Sequence, residues 1–140
     1  MTINILLAED TESQRTQYGK FLESLGHKVL YAKNGVMAQT AIKRYSRDEL
    51  EIDVVITDVQ MPKASGLHVT ATVADLSEPL PTLVHSSEPT FLGDTIAKVI
   101  TGCEWNFAKF HIKNRTGDMQ YIADFLEKCL ADAQPVNQPT

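Results

Sequence analysis

Short apolar runs alternate along this chain with longer stretches that have the spacing of amphipathic helices. The first, third and fourth runs are nearly continuous in apolar residues, which is typical of central parallel strands covered on both faces. We therefore predict five β-strands, at residues 3–8, 28–32, 52–57, 81–85 and 105–108.

The first stretch between strands has the clearest helical signal. Apolar residues recur at i, i+3, i+4 and i+7 from Tyr18 to Leu25. Thr11 followed by Gln14 is a capping-box pattern, and Gly26 stands where a glycine often ends a helix. Further helices are predicted over residues 36–45, 66–76, 89–100 and 116–130. A β-α order repeated five times predicts an α/β fold with a doubly wound parallel sheet and helices on both faces.

Length and charge limit the possible functions. The chain has 140 residues and a net charge of −5, which is typical of one domain without a surface for nucleic acid. We expect the domain to span residues 1–131 and residues 132–140 to be a disordered tail or linker stub. No apolar segment approaches the ~18 residues of a membrane span. Two cysteines, Cys103 and Cys129, lack the spacing of a disulfide framework or zinc site, which favours the cytoplasm.

Polar side chains follow the ends of several predicted strands. In a doubly wound sheet these ends meet at one edge, where ligands bind. Grouped carboxylates repel one another unless a cation is present, and all-oxygen ligands favour Mg²⁺. A lysine opposite a metal is a typical clamp for a phosphoryl group, which an aspartate can accept. The sequence therefore predicts magnesium-dependent phosphoryl transfer by a group comprising Glu9, Asp10, Asp58, Ser86, Ser87 and Lys109.

Taken in order, the motifs resemble the receiver domain of response regulators over residues 3–130. They are Leu6-Leu7-Ala8-Glu9-Asp10, Asp58-Val59-Gln60-Met61-Pro62 with Gly66 eight residues after Asp58, Pro81 with Ser86 five residues later, and the run 102–109 that ends in Lys109. The resemblance implies the flavodoxin-like strand order 2-1-3-4-5 with five helices. It also implies a phosphoprotein of two-component or phosphorelay signalling, whose only catalysis is its own phosphorylation and dephosphorylation.

The same resemblance implies a role for each site residue. Asp58 would accept a phosphoryl group from the phosphohistidine of a histidine kinase or histidine phosphotransfer protein. Lys109 and Ser86 would contact phosphoryl oxygens and move inward, which would change the binding of an output partner protein. The Mg²⁺ ligands would be Asp10, Asp58 and the carbonyl of Gln60, with Glu9 acting directly or through water.

Departures near the fifth strand leave alternatives open. Phe110 follows Lys109 where the family usually has a cis proline, so this peptide bond is either trans or strained. Asn106 stands three residues before Lys109, where the family has an aromatic switch residue. Trp105 cannot replace it without a register slip. One alternative is a phosphorylation-independent interaction module, or pseudo-receiver. A small α/β enzyme or flavin binder is disfavoured because the acidic loop 9–12 would repel a flavin phosphate.

Overall fold

The computed structural model describes residues 2–86, 107–113 and 117–133. The elements in these ranges are β1 (Asn4–Ala8), α1 (Glu12–Ser24), β2 (Lys28–Ala32), α2 (Gly35–Ser46), β3 (Val54–Asp58), α3 (Gly66–Ala74), β4 (Thr82–Ser86), β5 (Ala108–Ile112) and α4 (Asp118–Ala133). All neighbouring strands are parallel, and their order is β2-β1-β3-β4-β5. The predicted fold class and strand order are therefore confirmed. The helix predicted over residues 89–100 and the tail from 134 lie outside the described residues.

The core has two layers, one on each face of the sheet. On β1, Leu6 is buried in the layer that contains residues of α2 and α3. Leu7 is buried in the opposite layer, against α1 and α4. Strands β3 and β4 are buried along their whole length. This two-sided burial explains why the central strands have continuous apolar sequences.

Helix α1 begins and ends where predicted, with Thr11 as its N-cap residue, but the predicted capping hydrogen bonds do not form. Gly26 follows the helix with a φ of 90°, the left-handed conformation that a helix-ending glycine adopts. The prediction of a capping box is wrong, because the Thr11 side chain makes no capping hydrogen bond within the described part of the chain. The Thr11 amide instead donates to Glu9 Oε1 at 3.2 Å. The Gln14 side chain accepts a hydrogen bond from Lys113. Side chains of the sheet edge therefore compete with the local cap.

Strand β5 lies later in the chain than predicted. It spans Ala108–Ile112 instead of residues 105–108, and its first residue pairs with Thr82. This strand is at the edge of the sheet and has mixed polar and apolar residues, so the continuous apolar pattern of a central strand does not mark it. Lys109 is consequently the second residue of the strand, and Lys113 is the first residue after it. No cis peptide bond occurs among the described residues, so the bond between Lys109 and Phe110 is trans.

Candidate functional site

Three carboxylates meet at the carboxyl edge of the sheet. Glu9 and Asp10 follow β1, and Asp58 ends the neighbouring strand β3. One carboxylate oxygen from each residue lies within 4.8 Å of the others. Glu9 is 2% exposed and Asp58 is 9% exposed, whereas Asp10 is open to solvent. The pairing of β1 with β3 thus concentrates negative charge at a partly enclosed point.

Burial disfavours the ionised form of the two enclosed carboxylates, Glu9 and Asp58. Burial raises the pKa of Glu9, and the negative charge of Asp58 adds to this effect, while Lys113 opposes it. Burial also raises the pKa of Asp58, again against the opposing charge of Lys113. Because three carboxylates are grouped here against one lysine among the described residues, an additional cation is favoured at the site.

The lysine of the site is Lys113, and the prediction that Lys109 lies there is wrong. Lys113 Nζ lies 3.1 Å from Glu9 Oε2 and 3.3 Å from Asp58 Oδ1, and its side chain is 13% exposed. Lys109 is exposed, pairs with Leu83 and lines a separate cleft that includes residues of α4. The two lysines are four positions apart in the sequence, which is about 13 Å along an extended strand. The displaced strand start explains the error.

Ser86 and Gln60 lie at the same edge. Ser86 is the last residue of β4, is 1% exposed, and its carbonyl accepts a hydrogen bond from the Lys113 amide at 2.7 Å. Gln60 is exposed two residues after Asp58 and lines a cleft of about 490 Å³ together with Asp10. All of the predicted site residues except Lys109 and Ser87 are thus placed at this edge, and Ser87 lies outside the described residues.

The loop after β3 is held tightly to the strands. The Val59 amide donates to the His85 carbonyl at 2.9 Å, and the Gly66 amide donates to the Val59 carbonyl at 2.8 Å. Gly66 comes so close to the backbone of Asp58 that a Cβ atom would overlap the Asp58 carbonyl oxygen. A glycine eight residues after Asp58 therefore has a steric reason.

The new position of the lysine changes which residue is the candidate switch aromatic. Phe110 lies three residues before Lys113 and is partly buried against Ala108, against which Leu67 and Ala71 of α3 also pack. Asn106, which sequence analysis placed at this position, lies outside the described residues. The residue that follows the lysine is Asn114, so the family's proline is still absent.

A second polar cluster lies beside Lys113 in the layer between the sheet and α1. His111 Nε2 is 3.0 Å from Asp118 Oδ1, and the Tyr18 hydroxyl donates to Asp118 Oδ2 at 3.5 Å. The His85 ring contacts the rings of Tyr18 and His111 edge-on. His85 Nε2 is buried without a hydrogen-bond partner in the described part of the chain, and burial lowers the pKa of His85 to about 3. Sequence analysis gave these residues no role, because they come from four separate elements.

Known proteins are similar to this chain in sequence and in fold. The family model described as response regulator receiver domain matches residues 5–101. Histidine protein kinase 1 of Candida albicans is 35% identical over 68 residues, which are 49% of this chain and 3% of that protein. The autoinducer 1 sensor kinase/phosphatase LuxN of Vibrio harveyi is 30% identical over 84 residues, 60% of this chain and 9% of that protein. The polar-differentiation response regulator DivK of Brucella ovis is 26% identical over 78 residues, 56% of this chain and 59% of that protein.

Solved structures of response regulators have a fold similar to that of this chain. The response regulator receiver protein of Sinorhizobium medicae has a TM-score of 0.74 at 18% identity, covering 96% of this chain and 98% of that one. The response regulator TrrA of Thermotoga maritima, in complex with Mg²⁺ and BeF, has a TM-score of 0.71 at 20% identity, covering 91% and 98%. Among the described residues, no helix is long and apolar enough to cross a membrane. The chain spans less than two thirds of the curated relatives named above, but the family match covers more than half of the chain itself. This protein therefore belongs to the response regulator receiver domain family of two-component signalling.

Proposed function

We propose that this protein is a phosphoacceptor receiver of a two-component system or phosphorelay. It takes a phosphoryl group from the phosphohistidine of a histidine kinase or histidine phosphotransfer protein onto Asp58, and its binding to an output partner protein changes. The observation that carries this proposal is the contact of one largely buried ammonium, on Lys113, with the carboxylates of Asp58 and Glu9. The sensor kinases and response regulators among its relatives support the class of donor.

The proposed reaction is an in-line displacement at phosphorus. An oxygen of Asp58 forms the new bond to phosphorus, while the bond from phosphorus to the donor's imidazole nitrogen breaks and its electron pair returns to the imidazole. Lys113 takes the role that sequence analysis gave to Lys109, because its ammonium already lies against Asp58. It stabilises the charge that spreads over the phosphoryl oxygens. The Ser86 hydroxyl, at the end of the next strand, contacts another of these oxygens once the group is attached.

The residues of the site fit a magnesium ion. Their donors are all oxygens, which Mg²⁺ prefers, and the three grouped carboxylates face one lysine among the described residues, which leaves room for a further positive charge. The carboxylates of Asp10 and Asp58 and the carbonyl of Gln60 would hold the ion, with Glu9 acting directly or through water. When bound, Mg²⁺ would neutralise charge on the phosphoryl group. The remaining residues position the acceptor and the ammonium.

Intact mass after incubation with Mg²⁺ and acetyl phosphate tests the proposal. We expect the parent protein to gain one phosphoryl group and the Asp58→Asn variant to gain none. Asp75→Asn is the matched control, because Asp75 is an exposed aspartate at the end of α3 and lies outside the site. Equal phosphorylation of the parent and Asp58→Asn would contradict the assignment of the acceptor.

The phosphorylation-independent module remains the alternative, because Asn114 replaces the family's proline after the lysine. Pulldown of partner proteins with and without beryllofluoride separates the two functions. Our proposal expects the set of bound partners to change with beryllofluoride, whereas an unchanged set supports the alternative. We also propose that the protein acts in the cytoplasm and does not bind nucleic acid directly, on the grounds of its spaced cysteines and its net charge of −5.

A further inference from the structure

The ammonium of Lys113 has a third oxygen contact besides the two carboxylates. Its Nζ donates to Gln14 Oε1 at 2.6 Å, compared with 3.1 Å to Glu9 Oε2 and 3.3 Å to Asp58 Oδ1. A lysine ammonium carries three N–H donors, and three oxygens therefore match its full donor capacity. The shortest of the three contacts is made by the uncharged amide of Gln14, in the first turn of α1.

Helix α1 holds the same ammonium at a second point. Tyr18 lies four residues after Gln14, so both side chains are on one face of the helix. The centroid of the Tyr18 ring is 5.9 Å from Lys113 Nζ, within the range of a cation–π interaction. The Tyr18 ring is itself fixed, because the residue is buried and its hydroxyl donates to Asp118 at the start of α4. One rigid helix face thus supplies an acceptor and an aromatic ring to the lysine.

These contacts to the Lys113 ammonium matter once Asp58 is phosphorylated. When Asp58 becomes an acyl phosphate, its own carboxylate charge is lost and the ammonium must turn to a phosphoryl oxygen. Glu9 keeps its charge and attracts the ammonium away from that oxygen. A neutral acceptor on α1 is unaffected by the change at Asp58, so it holds Lys113 in reach of the phosphoryl group. The sequence offers no proline after Lys113 to restrict the backbone there.

We infer that Gln14 is a positioning residue for Lys113, which it holds beside Asp58 during phosphoryl transfer. This inference rests on the proposed function, and it assigns to α1 a part of the site beyond the acidic residues and the lysine. Gln14 acts through Lys113 and does not touch the reacting atoms.

Substitution of Gln14 by methionine removes the acceptor while keeping the length of the side chain. We expect Gln14→Met to slow phosphorylation of Asp58 by acetyl phosphate about tenfold at saturating Mg²⁺, because a hydrogen bond to a charged group is lost. The affinity for Mg²⁺, measured by calorimetry, is expected to stay unchanged. Gln14→Glu retains an acceptor oxygen and is expected to restore part of the rate, because its added charge competes for the ammonium as that of Glu9 does. The control is Gln17→Met, an exposed position on the same helix, which should match the parent.

A spectroscopic measurement separates this inference from the proposed function. A buried and hydrogen-bonded ammonium exchanges slowly with water, so the ¹⁵N-labelled Lys113 side chain should give a visible NH₃⁺ signal in the parent, assigned by its loss in Lys113→Met. We expect Gln14→Met to broaden or remove this signal. Failure of the parent to be phosphorylated at Asp58 would count against the proposed function while leaving the NMR test intact. An unchanged NH₃⁺ signal in Gln14→Met, or an unchanged rate in a parent that is phosphorylated, would overturn the role of Gln14.

Discussion

The assignment of Lys113 predicts that its loss destabilises the fold when no metal is added. Lys113→Met leaves an apolar side chain of similar length. It removes the only positive charge that contacts both Glu9 and Asp58 among the described residues. The two carboxylates are then left buried with mutual repulsion and no compensating cation. We expect the free energy of unfolding to fall by about 3 kcal/mol at neutral pH.

The magnitude follows from the distances and the burial. At an effective dielectric of about 20, charges 3.1 and 3.3 Å apart attract by about 5 kcal/mol for each pair. Removing the ammonium from water costs several kcal/mol and offsets part of this attraction, so breaking a buried pair usually costs about 3–5 kcal/mol. We expect the lower end, because Glu9 and Asp58 already have raised pKa values and relieve the repulsion by binding a proton.

Thermal unfolding in EDTA measures this effect. For a chain of 140 residues, a loss of about 3 kcal/mol lowers the Tm by about 10 °C. Lys109→Met is the matched control, because this lysine is exposed on the same strand, and it should change the Tm by less than about 2 °C. Saturating Mg²⁺ should narrow the difference between Lys113→Met and the parent. The reasoning is refuted if Lys113→Met unfolds at the parent's Tm, or if Lys109→Met is the variant that loses stability.

Two further predictions concern pH. Burial raises the pKa of Asp58 above its ordinary value of 3.8, so the stability associated with its protonated form is present below that value and is lost as pH rises through the raised pKa. Asp58→Asn should therefore have a higher Tm than the parent at pH 7, and calorimetry should show this gain vanishing toward pH 3. His85 has its pKa lowered to about 3 from 6.5, so as pH falls below 6.5 the unfolded chain binds a proton that the folded chain does not. The parent should lose about 3 kcal/mol from this residue between pH 6.5 and pH 4, and urea unfolding of His85→Leu should lack that loss.

The parts of the fold that could be predicted from sequence are those with two-sided burial. Strands β1, β3 and β4 are covered on both faces, which requires apolar residues at successive positions and leaves a continuous run. The polar residue that ends such a run marks the carboxyl edge of the sheet. Glu9, Asp10 and Asp58 could be grouped for this reason, since parallel strands all end at the same edge.

The parts that sequence analysis missed depend on contacts between distant segments. The edge strand β5 has neighbours on one side only, so its sequence has no continuous apolar run and its start was placed too early. Lys109 on the strand and Lys113 just after it are an even number of residues apart, so the side-chain alternation does not distinguish them, and only the register with β4 decides which one reaches the acidic group. The capping pattern at Thr11 failed for a similar reason, because Gln14 bonds to Lys113, 99 residues away in sequence.

The corrected register also weakens the case for a phosphorylation-independent module. That alternative was based on Asn106 and Phe110, which stand at the positions of the family's aromatic residue and proline when these are counted from Lys109. Measured from Lys113, Phe110 itself stands three residues before the lysine, and it packs against the buried Ala108 as residues of α3 do. What remains of the departure is Asn114 in place of proline. The contacts from Gln14 and Tyr18 to the ammonium offer a physical substitute for that missing restraint, since they fix the lysine from α1 instead of from the residue that follows it. The sequence features that first favoured the alternative are thus compatible with a working phosphoacceptor site.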